Sequence, residues 1–429
     1  MKKYLFGLSI GLLLQTSFAQ DTLTVERAVQ QVLKTHPALE QAAANVRAAE
    51  ARTALSKSAQ APNISALAQY TRIGPIPSVM FGTENFFFAP DNNYDGHISA
   101  DYTVYDFGKT GSGIDLAQSR TQSSRDAIDL TRTSLALQTI RTFYTIVFLQ
   151  SSIGVQEEQI SALKQHLVVT QKRVTDGSAT NYDVLTTKVR VAAAENQKVD
   201  IQNASEKQYS VLRQLLGVAS NAQLNISGSF SETHIALDND SLINVSQSKR
   251  TEMKIARDAE RTAVLQQRLS EMNDLPSLNI FGNYGIKNGL YPNLDAWRGN
   301  WAIGAVAAIP IFNGNRSGHQ VEESRAMLEA EQAHTSNTSN QIRSEVEQAI
   351  ADVHATETKV EISKIQLQQA YEAVILARTK YETGSLTNLD LLDAETAESE
   401  AKLTNLQALF QFTISKYNLQ QATGTLLQN

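Results

Sequence analysis

The chain contains no cysteine, which excludes disulfides, thiolate metal ligands and a cysteine-borne lipid anchor behind a leader. It also lacks the ~20 consecutive apolar residues of a helical membrane span. Any bilayer crossing must then be made by a closed set of β-strands, since lipid offers no partner to an open backbone. The formal net charge of -6 argues against nucleic acid as a partner, because that needs a basic stripe. The five methionines form no soft-ligand cluster. The seven histidines (36, 97, 166, 234, 319, 334 and 354) form no His-Glu-x-x-His pair, so no metal and no cofactor is expected. No Gly-x-Ser-x-Gly elbow is present, and no nucleophile with its base stands out, so an enzyme is not expected.

Proline is scarce and unevenly placed, at 37, 62, 75, 77, 90, 276, 292 and 310. The two long Pro-free stretches that remain are rich in Ala, Gln, Glu, Leu and Arg, a composition that favours long helices. Glycine is nearly absent there too: from Ile114 to Asp176 the only one is Gly154, and from His319 to Thr383 there is none. A helix of about 64 residues would run roughly 95 Å, far beyond the globular norm. The start, with Lys2 and Lys3, an apolar run from Tyr4 to Leu14 and Ser17-Phe18-Ala19, reads as a signal peptide (1–19) cut after Ala19.

What is present is a duplication. The stretch Thr175-Asp176-Gly177-Ser178-Ala179-Thr180-Asn181-Tyr182-Asp183 recurs as Glu382-Thr383-Gly384-Ser385-Leu386-Thr387-Asn388-Leu389-Asp390, at an offset of 207. In both copies Gly can close one helix in the left-handed region and Thr or Asn can cap the next, so each stretch (175–181 and 382–388) joins two antiparallel helices. Ahead of the turns, Val346, Val353, Val360, Leu367, Val374 and Tyr381 stand seven apart, and Ile146, Ile153, Ile160, Leu167 and Val174 share their phase. Such heptads mark a coiled-coil seam.

Between the helices the period changes to two. Residues 62–73 are bounded by proline, and in 94–107 Ile98, Ala100, Tyr102 and Val104 alternate with His97, Ser99, Asp101 and Thr103. One apolar and one polar face suits a strand between lipid and water. Residues 276–287 and 297–312 repeat the pair, and Trp297, Trp301 and Tyr291 suit interfacial anchors. Phe81, Phe86, Phe87 and Phe88 in the first inter-strand loop are expected to pack within that loop or to anchor it at the interface. Gly108-Lys109-Thr110-Gly111-Ser112-Gly113 lacks the residue order of a phosphate loop and is expected to be the joint from strand to helix. The chain thus divides into a first repeat (20–217), a polar linker (218–248), a second repeat (249–424) and a tail (425–429). Four strands are too few for a barrel, whose smallest single-chain form has ~8, so several chains must contribute; two, three or four all satisfy this count.

In these features the chain resembles the TolC family of outer membrane efflux proteins, from about Leu23 to Gly424. The matching motifs are Ala28-Val29 with His36-Pro37-x-Leu39, Tyr105-Asp106-x-Gly108, Phe312-Asn313-Gly314, Tyr381-x-x-Gly384 and Asp390-Leu391-Leu392-Asp393-Ala394. The resemblance implies a mainly α fold with membrane β, in which a trimer closes a twelve-stranded β-barrel continued by a long α-helical barrel in the periplasm. It implies a passive outer membrane duct, serving a tripartite efflux or type I secretion system through an adaptor protein and an inner-membrane pump. Asp390 and Asp393 match the acidic positions of the family's closed end, where three copies of each would form two rings favouring cations. Tyr381 matches a gating tyrosine and Asp183 its partner, while the turns at Gly177, Ser178, Thr180 and Gly384, Ser385, Thr387 form the adaptor end. Leu386 departs from the pattern, since some members carry a basic residue there. Asp390, Asp393 and above all Asp183 are also well placed as first-turn residues favoured by the helix dipole. A surface coiled coil is the competing function; the four strands argue against it.

Overall fold

A computed structural model describes residues 22–230, 232–234 and 238–427; the expected signal peptide (1–19) and the last two residues of the expected tail lie outside the described residues. Its elements in order are α1 (Val25–Thr35), α2 (Pro37–Ser58), β1 (Asn63–Arg72), β2 (Ser78–Phe81), β3 (Glu84–Phe87), β4 (Asn92–Tyr105), α3 (Lys109–Thr175) and α4 (Asn181–Leu216). The second half supplies α5 (Asn239–Lys249), α6 (Thr251–Glu271), β5 (Ser277–Lys287), β6 (Arg298–Ala308), α7 (Arg316–Glu382) and α8 (Asn388–Ala422). Both α3 and α7 hold 67 residues, so each runs about 100 Å. None of the described helices is long and apolar enough to cross a membrane.

Contacts divide the chain into two compact units, each drawn from both repeats. The strand unit comprises Pro37–Arg132 and Asp240–Val346; the helical unit takes, among the described residues, those of 22–36, 133–239 and 347–427.

In the strand unit an antiparallel sheet runs in the order β1-β4-β5-β6, so the two repeats are stitched together through β4 and β5. The register sets Ala66 beside Ile98, Ile98 beside Tyr284 and Tyr284 beside Trp301. Because side chains alternate along a strand, this register gathers the apolar residues on one face. That face is bare within the chain: Ile64, Ile98, Tyr284, Trp301 and Ile303 are all exposed, Ile303 to 80%. The other face is polar, with Ser65 bonded to Ser99 at 2.8 Å and Thr103 to Asn279 at 2.7 Å. At one end of the apolar face Tyr70, Tyr94 and Trp297 form an aromatic row, with centroids 5.1 and 5.3 Å apart. The outer strands β1 and β6 each have a sheet neighbour on one side only.

The first inter-strand loop is more ordered than its sequence suggests, because β2 and β3 pair as a short hairpin. Phe81 meets Phe86 edge-on at 6.3 Å, yet Phe81, Phe86, Phe87 and Phe88 all stay exposed. Two four-residue strands make a single layer, and every residue of both is exposed among the described residues. The strand-to-helix joints take up positive φ at Phe107 and Gly108 in one repeat and at Gly314 and Asn315 in the other. Asp106 accepts from the backbone N–H of Gly108 and Thr110 and so caps α3.

The helical unit is held by heptad packing: Ile146, Phe143, Leu212, Val353 and Phe412 are almost fully buried. Each such side chain contributes about 1.5–3 kcal/mol of burial. The linker packs on this core rather than spanning free, with Leu23 bridged to Ile226. A Cβ at Gly228 would lie 2.9 Å from the Phe143 ring, so only glycine lets the strap approach this closely. The linker also ends in a helix, α5, that its polar, turn-rich sequence does not announce.

Candidate functional site at the hairpin tips

Both hairpins lie in the helical unit and are closed by the same local chemistry. In the first, Gly177 takes φ +73 and the Ser178 N–H donates to the Arg173 carbonyl at 2.8 Å. In the second, Gly384 takes φ +75 and the Ser385 N–H donates to the Lys380 carbonyl, again at 2.8 Å. These bonds satisfy carbonyls that a helix end otherwise leaves open. The following helix starts in each case with a capping box, Thr180 with Asp183 and Thr387 with Asp390. Asp183 and Asp390 therefore both turn their carboxylates back onto the cap backbone. Each also stands in the first turn, where the helix dipole favours negative charge.

Tyr381 is buried, 6% exposed, in a cluster with Ala377 and Leu391 of its own repeat, and two further groups against its ring come from the first repeat. The His166 ring lies 5.1 Å from it and the Arg173 guanidinium 4.2 Å above it. Arg173 also donates to the carbonyls of Tyr381 and Glu382 at 3.1 and 3.3 Å, so a residue of α3 caps the C-terminus of α7. No hydrogen bond joins Tyr381 to the Asp183 carboxylate among the described residues; the partner that the resemblance pointed to is occupied with Thr180.

Asn388 ties the two hairpins together. Its side-chain oxygen lies 2.6 Å from His166 Nε2, and its amide donates to the Asp183 carbonyl at 3.4 Å. The Thr170 hydroxyl lies 3.3 Å from the same His166 nitrogen, so Nε2 faces two polar partners. Asp393, three residues beyond Asp390 and so on the same helix face, accepts from Arg190 of α4 at 2.8 Å. Leu386 sits against Ala377, Tyr381 and Leu391, an apolar contact in place of a charged one. Beside Tyr381 opens a cleft of ≈ 540 Å³ whose lining includes Glu158, Arg378 and Glu395. Arg378 pairs with the buried Glu395 at 3.1 Å, and Glu395 Oε2 has no partner among the described residues. No group of three or more potential metal ligands occurs among those residues.

The sequence reading missed His166, Arg173, Arg190 and Asn388. The signal was available in one form only: at the 207 offset, Thr186, Lys188 and Arg190 stand opposite Asp393, Glu395 and Ala397, so the two copies differ in charge. Nothing in the local pattern around His166 marks it as facing Asn388.

Residues 28–218 and 242–425 match the family described as outer membrane efflux protein, one segment in each repeat. Outer membrane protein TolC of Salmonella enteritidis is 22% identical over 99% of this chain and 87% of its own length. Among solved structures, the outer membrane protein VceC of Vibrio cholerae superposes with a TM-score of 0.79 at 18% identity, covering 93% of this chain and 96% of VceC. The CmeC outer membrane channel of Campylobacter jejuni gives 0.81 at 16%, covering 94% and 86%. Both superpositions extend over nearly the whole chain, so the likeness is one of the fold as a whole. The chain belongs to the outer membrane efflux protein family, as a TolC-like channel of the outer membrane whose helical part stands in the periplasm.

Proposed function

We propose that the chain works as a homotrimer, in which three four-stranded sheets close one twelve-stranded barrel and the hairpins of all three copies meet at a periplasmic gate. The duct conducts substrate passively, without covalent chemistry, from an inner-membrane pump whose adaptor docks at Gly177, Ser178, Thr180, Gly384, Ser385 and Thr387. After removal of residues 1–19, the working unit is two duplicated segments, 20–217 and 249–424, joined by 218–248. The observation that carries the reading is the open sheet: four strands with one apolar face and two one-sided edges. Lipid tolerates such a sheet only when every edge is paired. At the gate, Tyr381 and Asp183 belong to the closing structure, while Asp390 and Asp393 supply the acid that favours cations.

The test is single-channel conductance of the detergent-purified protein in a planar bilayer, after its mass has been measured. A trimer with small cation-selective conductance, weakened in selectivity by Asp390→Ala with Asp393→Ala, is the expected result. A folded monomer that conducts nothing refutes the proposal. Identical traces from wild type and the double variant would keep the duct and remove the aspartates from its gate.

A further inference from the structure

The two hairpins come from one duplicated unit, yet their charges are complementary where α4 meets α8. Position 186 is Thr in the first copy and its counterpart 393 is Asp; position 188 is Lys against Glu395; position 190 is Arg against Ala397. The first copy has become basic on this stretch and the second acidic. The structure uses the difference directly, since Arg190 donates to Asp393 Oδ1 at 2.8 Å from one helix to the other. A second ion pair joins the hairpins further along with the opposite polarity, Lys402 of α8 to Glu158 of α3 at 3.1 Å, so the basic first copy and acidic second copy are a property of the stretch around Arg190 and Asp393. Leu386 on the second turn offers no cation, and it packs on Tyr381 instead.

We infer that Arg190 is a selectivity- and closure-determining residue of this channel: its guanidinium neutralises Asp393 while holding α8 against α4. The inference rests on the channel reading and changes its electrostatics. Asp390 and Asp393 then form unequal rings. Asp390, whose carboxylate accepts from Thr387 N–H and Oγ–H and faces no cation among the described residues, presents its full charge. Asp393, facing a guanidinium, presents little net charge until the hairpins part. Opening would break the pair and unmask three carboxylates at once, so the open mouth would be more cation-selective than the closed one. The pair is partly exposed, with side chains 39% and 59% accessible. Each copy is therefore individually weak, and its effect comes from threefold repetition at a constriction.

The experiment is conductance and cation-to-anion permeability of the full-length protein in planar bilayers for wild type, Arg190→Glu, Asp393→Arg, the reversed pair Arg190→Glu with Asp393→Arg, and Arg190→Gln. Each charge-reversing single variant should raise the open fraction about two- to fivefold per broken pair. Arg190→Glu should also sharpen cation selectivity and Asp393→Arg should reduce it. The reversed pair, with the same net charge as wild type, should restore the small conductance. Arg190→Gln, which keeps a polar side chain of similar reach, should raise cation selectivity without repulsion and covers the case in which a reversed charge prevents assembly. If the reversed pair conducts like either single variant, or if Arg190→Gln matches wild type in selectivity, the inference is wrong while the duct stands. If neither wild type nor any variant conducts as an assembled trimer, the channel reading itself has failed.

Discussion

At the first hairpin the Thr180 N–H and hydroxyl lie 2.8 and 2.7 Å from the Asp183 carboxylate; at the second the Thr387 groups lie 3.2 and 2.6 Å from Asp390. The glycines ahead of them share nearly the same φ. One residue away from this identity the copies part. Asn181 is exposed whereas Asn388 is buried against His166, and Val174 is half-buried where Tyr381 is enclosed by His166 and Arg173. Turn geometry depends on a handful of neighbouring residues and survives duplication unchanged. Burial depends on what the opposite copy brings, and at this tip the first copy brings Arg173, Arg190 and His166 to the second.

This asymmetry is open to direct attack. The largest effect is expected from Tyr381→Ala, which removes a buried aromatic ring and costs about 3–5 kcal/mol. Val174→Ala, its counterpart in the first repeat, should cost about 1 kcal/mol. Hydrogen exchange of the amides at the ends of α3 and α7 reads the two tips separately, and equal losses of protection would dissolve the distinction. Next comes Asn388→Ala, which removes the nearer of the two partners of His166 Nε2 and leaves Thr170 Oγ1, at a cost of about 0.5–1.5 kcal/mol. Asn181→Ala should stay within about 0.5 kcal/mol of wild type. Urea titration of the two variants would test this pair, and a first-repeat variant as damaging as the second would count against it.

The smallest effect lies in the strand unit, where the repeats meet through like charges. Burial and a shared hydrogen bond with Asp126 push Asp258 of α6 up to about 6, with Arg261 pulling the other way. A carboxyl raised above its unfolded value of 3.8 stabilises the fold in its protonated form. That contribution is complete below pH ~4, is lost as pH rises to ~6, and leaves two carboxylates in repulsion above it. Thermal melts from pH 4 to 7 should show this decline in wild type and a flatter profile in Asp258→Asn. A wild type no less stable at pH 7 than at pH 4, relative to the variant, would overturn the assignment.

The fold class was legible because its signals are local and repeated. Missing Pro and Gly allow long helices, period-two alternation selects strands, and Gly-Ser-x-Thr-Asn stops one helix and starts the next. The acidic first turns were legible for the same reason. The short β2–β3 hairpin was hidden by its Phe-rich composition, and α5 by a polar sequence that lacks an apolar stripe. At the site, Arg190 is an unremarkable basic residue on an exposed helix face until α8 is set beside it. Arg173 reads as a favourable charge in the last turn of its own helix, whereas it caps another one.

By itself the sequence determined where the long helices turn at the two hairpins and which strand face is apolar, because capping, backbone freedom and side-chain alternation act over a few residues. Only the tertiary structure decided that β4 pairs with β5, that His166 meets Asn388 and that Arg190 meets Asp393. Those partners lie about two hundred residues apart in the chain. Their meeting is set by the register in which two long helical hairpins pack, a property of the whole seam that no single stretch of it contains.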